Sequence, residues 1–301
     1  MRSRWPDLAL WAVAFVWGGT FLVTRIALEA GSGPFFFVGL RFGAATLATA
    51  LILRGKLWGA TRQDWIAALA IGIPMAAGYL LQTGGLLSVS SSMSAFLTAL
   101  YVPLVPLIQW LALKRAPQLM SWIGIALAFA GLVVIANPFG ASFGFGAGEW
   151  MTLASAVAFS AEIILIGRYA ERIDAGRVAA IDLAIVAVAG FAAMPMASEP
   201  FPPLTPVLLM CGIGLGVASA FIQLAMNWAQ KTVSPTRATL IYSSEPVFAG
   251  ALGRMVGERL GVNGWAGAGL ILCGVIVSEW RPRRWHPRDA AKGTPSHSLR
   301  S

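Results

Sequence analysis

Long apolar runs separated by short polar, proline- or glycine-containing breaks recur ten times along the chain. They cover approximately residues 7–28, 34–54, 64–87, 92–113, 119–136, 148–168, 178–197, 204–228, 236–256 and 262–280. Each has the length, about 17 to 25 residues, that an α-helix needs to cross a bilayer's hydrocarbon layer. Most gaps carry breakers: Gly31-Ser32-Gly33-Pro34, Asn137-Pro138, Glu199-Pro200-Phe201-Pro202-Pro203 and Ser234-Pro235,. The pattern predicts an all-α polytopic membrane protein with ten transmembrane helices.

The second half of that pattern echoes the first. Adding 143 to a residue number carries Ser91 onto Ser234, Ala95 onto Ala238, Leu97 onto Leu240, Pro103 onto Pro246, Trp122 onto Trp265, Gly124 onto Gly267, Leu127 onto Leu270, Gly131 onto Gly274 and Val134 onto Val277, without a gap. Nine identities in 44 positions, with proline and tryptophan at the same spacing in both copies, exceed what shared apolar composition explains. The expected organisation is a first five-helix repeat over 1–140, a second over 145–281, and a basic, disordered tail over 282–301. Duplicated membrane units of this kind build many secondary transporters.

Composition removes several classes of function. Charged residues are 12% of the chain and hydrophobic ones 57%, with a mean hydropathy of +0.72, whereas a soluble domain carries about 25% charged residues. No polar stretch is long enough for a separate soluble domain. Cys211 and Cys273 lie within apolar runs and both histidines, His286 and His297, lie in the last 16 residues, so metal sites, Cys/His nucleophile pairs and a disulfide framework are poor expectations. No cofactor is expected, and with no gathered nucleophile, base or metal ligands the chain is not expected to be an enzyme. The start, Met1-Arg2-Ser3-Arg4, imitates a secretory signal, but its apolar core would be only Leu8 to Trp11, so the segment reads as an uncleaved first span,.

Charge fixes the expected orientation, because Lys and Arg are retained on the cytoplasmic side. With the N-terminus inside, 18 of the 22 basic residues fall on inner segments, leaving Arg25, Arg254 and Arg259 outside and Arg41 within the second span. Both termini are then cytoplasmic in a multi-pass inner-membrane protein. A five-helix unit leaves the membrane on the side opposite its entry, so the second repeat is inverted relative to the first. Such repeats surround a midplane site exposed to either side in turn. The net charge of +9 sits at helix ends and in the tail, which points to anionic lipid rather than nucleic acid.

Several segments carry a family resemblance. Ser234-Pro235-Thr236-Arg237-Ala238 leading to Glu245-Pro246-Val247-Phe248, then Gly257-Glu258-Arg259-Leu260 and Gly267 through Gly274, resembles the second repeat of EamA-type proteins of the drug/metabolite transporter superfamily. Trp17-Gly18, Leu40-Arg41-Phe42 and the Ala95 to Pro106 stretch are similar to the first. The resemblance spans about residues 7 to 280. It implies a ten-helix carrier with inverted five-helix repeats that moves metabolites across the inner membrane, commonly outward, and it extends to YddG-like exporters of amino acids. Gly257-Glu258-Arg259 departs from its first-repeat counterpart, Lys114-Arg115-Ala116.

Polar side chains at membrane depth usually face a bundle interior or a wet cavity, which turns polarity into a search for a site. The candidate substrate-binding residues are Trp17, Thr20 and Phe21 in the first span, Tyr79 and Gln82 in the third, and Ser94, Thr98 and Tyr101 at i, i+4, i+7 in the fourth. Glu162 in the sixth, Gln223 and Asn227 in the eighth, and Tyr242, Ser244 and Glu245 in the ninth complete the set,. Amides, hydroxyls and aromatic faces with few fixed charges suit a small solute with an apolar or aromatic body and polar ends. An amino acid fits. Ser and Thr in such helices also bond to their own backbone, and the aromatic residues also serve simple packing.

Arg41 is expected to act as an anchor, snorkelling or reaching an acidic partner, and Asp182 to sit solvated near the inner end of the seventh span. Glu162 and Glu245 lie mid-span, where a carboxyl binds an amino group, carries a coupling proton, or sits protonated and hydrogen-bonded. Pro103 and Pro246 occupy equivalent repeat positions and are candidate gating kinks. The expected function is alternating-access export of small metabolites, most of all neutral and aromatic amino acids. Export of drugs or other amphipathic metabolites and a channel-like facilitative uniporter are the alternatives. The expected partners are a small-molecule substrate and membrane lipid, no nucleic acid, with the chain acting as a monomer.

Overall fold

The computed structural model describes residues 4–89, 91–114, 119–136, 146–255 and 262–279. The tail at 282–301 and the Gly257-Glu258-Arg259 segment, along with Arg115, lie outside the described residues. Within the described residues run twelve α-helices and no strand. They are α1 (Trp5–Glu29), α2 (Pro34–Leu53), α3 (Arg62–Gly85), α4 (Ser91–Thr98), α5 (Tyr101–Leu113), α6 (Leu119–Ala136), α7 (Ala147–Tyr169), α8 (Ala175–Met196), α9 (Pro206–Ala229), α10 (Pro235–Tyr242), α11 (Glu245–Met255) and α12 (Val262–Glu279). Six of them, α1, α2, α3, α7, α8 and α9, are long and apolar enough to cross a membrane.

Helix ends fall within a few residues of the apolar runs, with two exceptions. The fourth and ninth runs are not single kinked helices. Each is broken in two, between Thr98 and Tyr101 and between Tyr242 and Glu245. Pro103 and Pro246 explain the breaks, because each lacks the N–H that would bond four residues back, and each disfavours helical geometry in the residue before it. The chain turns tightly instead: Val102 N–H donates to the Ala99 carbonyl at 3.0 Å, and Ser244 N–H to the Ile241 carbonyl at 3.1 Å. Ser243 and Ser244 strengthen the second break by returning their hydroxyls to the carbonyls of Leu240 and Ile241, both at 2.6 Å,. The two breaks are 144 residues apart, within one residue of the repeat spacing.

Packing carries the same spacing. A Cβ on Gly131 of α6 would lie 2.5 Å from the carbonyl oxygen of Gly267 in α12, and one on Gly274 of α12 would lie 2.6 Å from the carbonyl oxygen of Gly124 in α6. Four small residues at repeat-related positions thus bring the two backbones into reciprocal contact, the way helices associate where no hydrophobic gain is available. Between α2 and α8 the same role falls to Gly39 and Gly190, the latter facing the Gly39 backbone nitrogen at 2.5 Å from its missing Cβ.

The molecule is apolar on its flanks, and its largely apolar interior also holds polar side chains. Leu47, Leu51, Ile73, Val188, Met210 and Val217 are all exposed, whereas Gln82, Glu162, Asp182, Gln223, Asn227 and Glu245 are buried. That distribution inverts a soluble protein and suits a hydrocarbon solvent. At the end of the bundle where α1 begins, polar contacts tie the elements together: Thr61 and Asp64 form a reciprocal cap on α3, Asp64 also accepts from the Asp174 amide at 3.1 Å, and Arg237 of α10 pairs with Asp7 of α1 at 2.9 Å,.

Candidate functional site

Where the two breaks approach each other, a small cavity forms. It is lined by Trp17, Thr20 and Phe21 of α1, Tyr79 and Gln82 of α3, Thr98 of α4, Tyr101 of α5, Phe159, Glu162 and Ile163 of α7, and Glu245 of α11. Each break contributes through its adjacent residue: the Tyr101 hydroxyl donates to Glu245 Oε2 at 3.2 Å across a separation of 144 residues. Tyr101 starts α5 and Glu245 starts α11, so the broken backbones themselves aim this pair inward. The Gln82 amide donates to Thr98 Oγ1 at 3.1 Å, joining α3 to α4 on the same wall. The aromatic wall is ordered edge to face, with Tyr79 and Phe159 ring centroids 5.0 Å apart,.

The open volume is about 20 Å³, room for a water-sized group. A larger solute requires the walls to separate. A larger hollow of about 830 Å³ lies between α2 and α8, but Thr46 and Arg54 are its main polar groups and Ala, Ile, Leu and Val side chains make most of its wall. It lacks the converging polar groups of a recognition site.

Behind the cavity lies a second polar layer. Gln223 of α9 donates from Nε2 to Glu162 Oε1 at 3.3 Å and to Asp182 Oδ2 at 3.1 Å, so one amide serves two buried carboxyls. Asp182 is therefore not solvated near a helix end. Helix α8 begins at Ala175, which places Asp182 two turns inside, and it is fully buried. The anchoring role expected of Arg41 needs a similar correction: Arg41 is buried, and its Nε donates to Ser219 Oγ of α9 at 2.8 Å rather than to an acid.

The sequence candidates thus divide. Trp17, Thr20, Phe21, Tyr79, Gln82, Thr98, Tyr101, Glu162 and Glu245 meet around the cavity. Gln223 stands one layer back, and Asn227 donates to the Gln223 carbonyl at 3.1 Å. Tyr242 is buried with its ring 5.0 Å from that of Trp17. Ser244 is occupied with its own helix, and Ser94 is buried outside the lining. Ser94, Thr98 and Tyr101 do not share one helical face, because the break intervenes. The wall residues that a search for polarity passes over are Phe159 and Ile163; their position on α7 at −3 and +1 from Glu162 was the available signal.

A helical bundle with apolar flanks, a buried polar cavity and paired discontinuous helices defines a polytopic membrane transporter. The chain belongs to the EamA-like transporter family, whose profile matches it twice, over residues 4–137 and 146–280. It is 32% identical over 282 residues to an uncharacterized transporter of Archaeoglobus fulgidus, an alignment covering 93% of this chain and 88% of that protein. It is 28% identical over 283 residues to the uncharacterized inner membrane transporter YedA of Escherichia coli K12, covering 89% of each. A protein of known crystal structure superposes with a TM-score of 0.75 at 18% identity, covering 91% of this chain and 96% of that one, a likeness of fold.

Proposed function

We propose that the chain is a secondary transporter that exports small metabolites, foremost neutral and aromatic amino acids, across the inner membrane by alternating access. Its ten membrane crossings, the fourth and ninth broken, form two inverted five-helix repeats over 1–140 and 145–281, with both termini cytoplasmic. The observation that carries the reading is the cavity at the meeting of the two breaks, where Tyr101 and Glu245 bridge them at 3.2 Å. Discontinuous helices at a repeat interface give a site whose walls belong to both halves, so that rocking one half against the other changes the side to which it opens.

The chemistry of the lining favours an amino acid. Five aromatic rings, Trp17, Phe21, Tyr79, Tyr101 and Phe159, offer an apolar body its partner, while Gln82, Thr98, Glu162 and Glu245 offer polar contacts for its charged end,. The same rings support a second reading, export of other amphipathic metabolites. The narrowness of the cavity, about 20 Å³, supports a carrier over an open channel.

Purified protein in liposomes, loaded with a panel of amino acids and of amphipathic non-amino-acid solutes, tests both. Saturable exchange of labelled phenylalanine, leucine or a similar amino acid supports the first reading. Flux of the other solutes alone, with none of any amino acid above empty vesicles, overturns it in favour of the second.

A further inference from the structure

Arg41 is a buried cation with no counter-ion among the described residues. Arg41 lies in the first half of α2, 3% exposed, at a depth where apolar side chains surround it. Its Nε donates to Ser219 Oγ, while Nη2 is buried without a hydrogen-bond partner among the described residues. None of the ion pairs among the described residues involves it. Its guanidinium carbon lies 5.0 Å from the centroid of the Tyr79 ring and 5.1 Å from that of Phe42.

A guanidinium is always charged and carries five N–H donors in a fixed fork. Two ring faces compensate part of its lost hydration, and one serine hydroxyl a further part. A free donor edge on a buried cation is a place that an anionic group can occupy. The place is informative: Tyr79 links the two sites, its ring being both a wall of the cavity and one of the faces against which Arg41 packs. On the other walls stand the carboxyls Glu162 and Glu245.

We propose that Arg41, with Ser219 and Tyr79, is the subsite that takes the carboxylate end of the transported solute. Movement of the Tyr79 ring joins it to the cavity, and the carboxylate then occupies the free edge of the guanidinium in a charge-assisted pair. The solute is thereby oriented, its anionic end toward α2 and α9 and its cationic end toward Glu162 and Glu245. The inference rests on the amino-acid reading for the identity of the solute; the anion subsite itself rests on Arg41.

The test measures competition for transport by matched pairs: phenylalanine against phenylalaninamide, and 3-phenylpropionate against its amide, in the wild type, Arg41→Lys and Arg41→Gln, each first checked for a single folded species by size exclusion. The wild type is expected to prefer the carboxylate member. Arg41→Gln is expected to reduce that preference roughly tenfold, through half-saturation rather than maximal rate, the size expected for losing a charge-assisted contact, while Arg41→Lys retains part of it. A carboxylate preference that is absent in the wild type, or unchanged in Arg41→Gln, overturns the proposal even where amino acids are transported. An Arg41-dependent preference for phenylpropionate without any amino-acid transport upholds the subsite and overturns the amino-acid reading.

Discussion

The two broken helices share a register and differ in chemistry. Around the first break the chain reads Thr98-Ala99-Leu100-Tyr101-Val102-Pro103, around the second Ile241-Tyr242-Ser243-Ser244-Glu245-Pro246. The shared proline interrupts the backbone in both, with α5 starting two residues before Pro103 and α11 one residue before Pro246. Everything else diverges: the first sends Thr98 and Tyr101 into the cavity, the second sends Glu245 and holds its turn with two serine hydroxyls. Their neighbours diverge as well. A Cβ on Gly18 of α1 would stand 2.8 Å from the Ala249 nitrogen and 3.0 Å from the Glu245 carbonyl oxygen, whereas the repeat counterpart of Gly18 on α7 is Ala161. Duplication has kept the hinge to within one residue and released the side chains, so the interruption recurs and the recognition chemistry does not.

The largest effect should come from separating α11 from α1. Gly18→Leu places a branched side chain against backbone that has no rotamer to yield, and overpacking of this kind costs about 1–3 kcal/mol or more. The expected outcome is loss of a monodisperse species and of transport. Gly19→Ala is the control: its added Cβ meets only the flexible Cδ1 of Leu252 at 3.4 Å, and should leave the thermal midpoint nearly unchanged.

Next is the amide that serves two carboxyls. Gln223→Leu keeps the volume but removes the donor from both Glu162 and Asp182. Leaving buried acceptors unsatisfied costs about 1–3 kcal/mol, so a lowered melting temperature in detergent is expected, larger than that of Asn227→Leu, which removes one bond to a carbonyl. The pair across the breaks should be weaker: Tyr101→Phe, Glu245→Ala and the double variant should give a coupling of about 1 kcal/mol. Additive losses would mean that the two breaks are not energetically joined.

Smallest is the difference between the ends of the bundle. At the end where α1 begins, Arg237 pairs with Asp7 at 2.9 Å and Thr236 Oγ1 donates to Gln109 Oε1 at 2.7 Å, linking α10 to α1 and α5. The repeat-related positions are Ser94 with Trp150 and Met93 with Leu252, which carry no charge pair. Since the Asp7 and Arg237 side chains are 22% and 35% exposed, the pair is worth no more than about 0.5 kcal/mol after screening. Asp7→Asn should accordingly shift labelling of a cysteine placed at Thr98, in a background without Cys211 and Cys273, by roughly twofold; no shift would assign closure of this end to packing alone.

How much of this was legible in the sequence follows from which forces act locally. Proline geometry and apolar run length are local, so Pro103, Pro246 and the helix limits could be read directly. The depth of Asp182 could not, because it depends on where α8 begins, and the Asp174 cap sets that start three residues earlier than the apolar run does. The partner of Arg41 is hidden for a related reason: length and snorkelling are properties of one helix, whereas its hydroxyl partner is 178 residues away on α9. Polarity located most of the cavity lining but not Phe159 and Ile163, whose role comes from facing the cavity rather than from their own chemistry.

Counterflow of labelled phenylalanine in proteoliposomes carrying the wild type or Gln82→Leu decides whether the solute sits in the cavity between the breaks. The substitution preserves volume and leaves the Tyr101–Glu245 bridge in place while removing the amide that reaches Thr98. A solute held there gives saturable exchange in the wild type and a loss of roughly tenfold in a Gln82→Leu protein that remains folded, the scale of one lost polar contact in a buried site. Exchange by Gln82→Leu at the wild-type rate and half-saturation would contradict that placement.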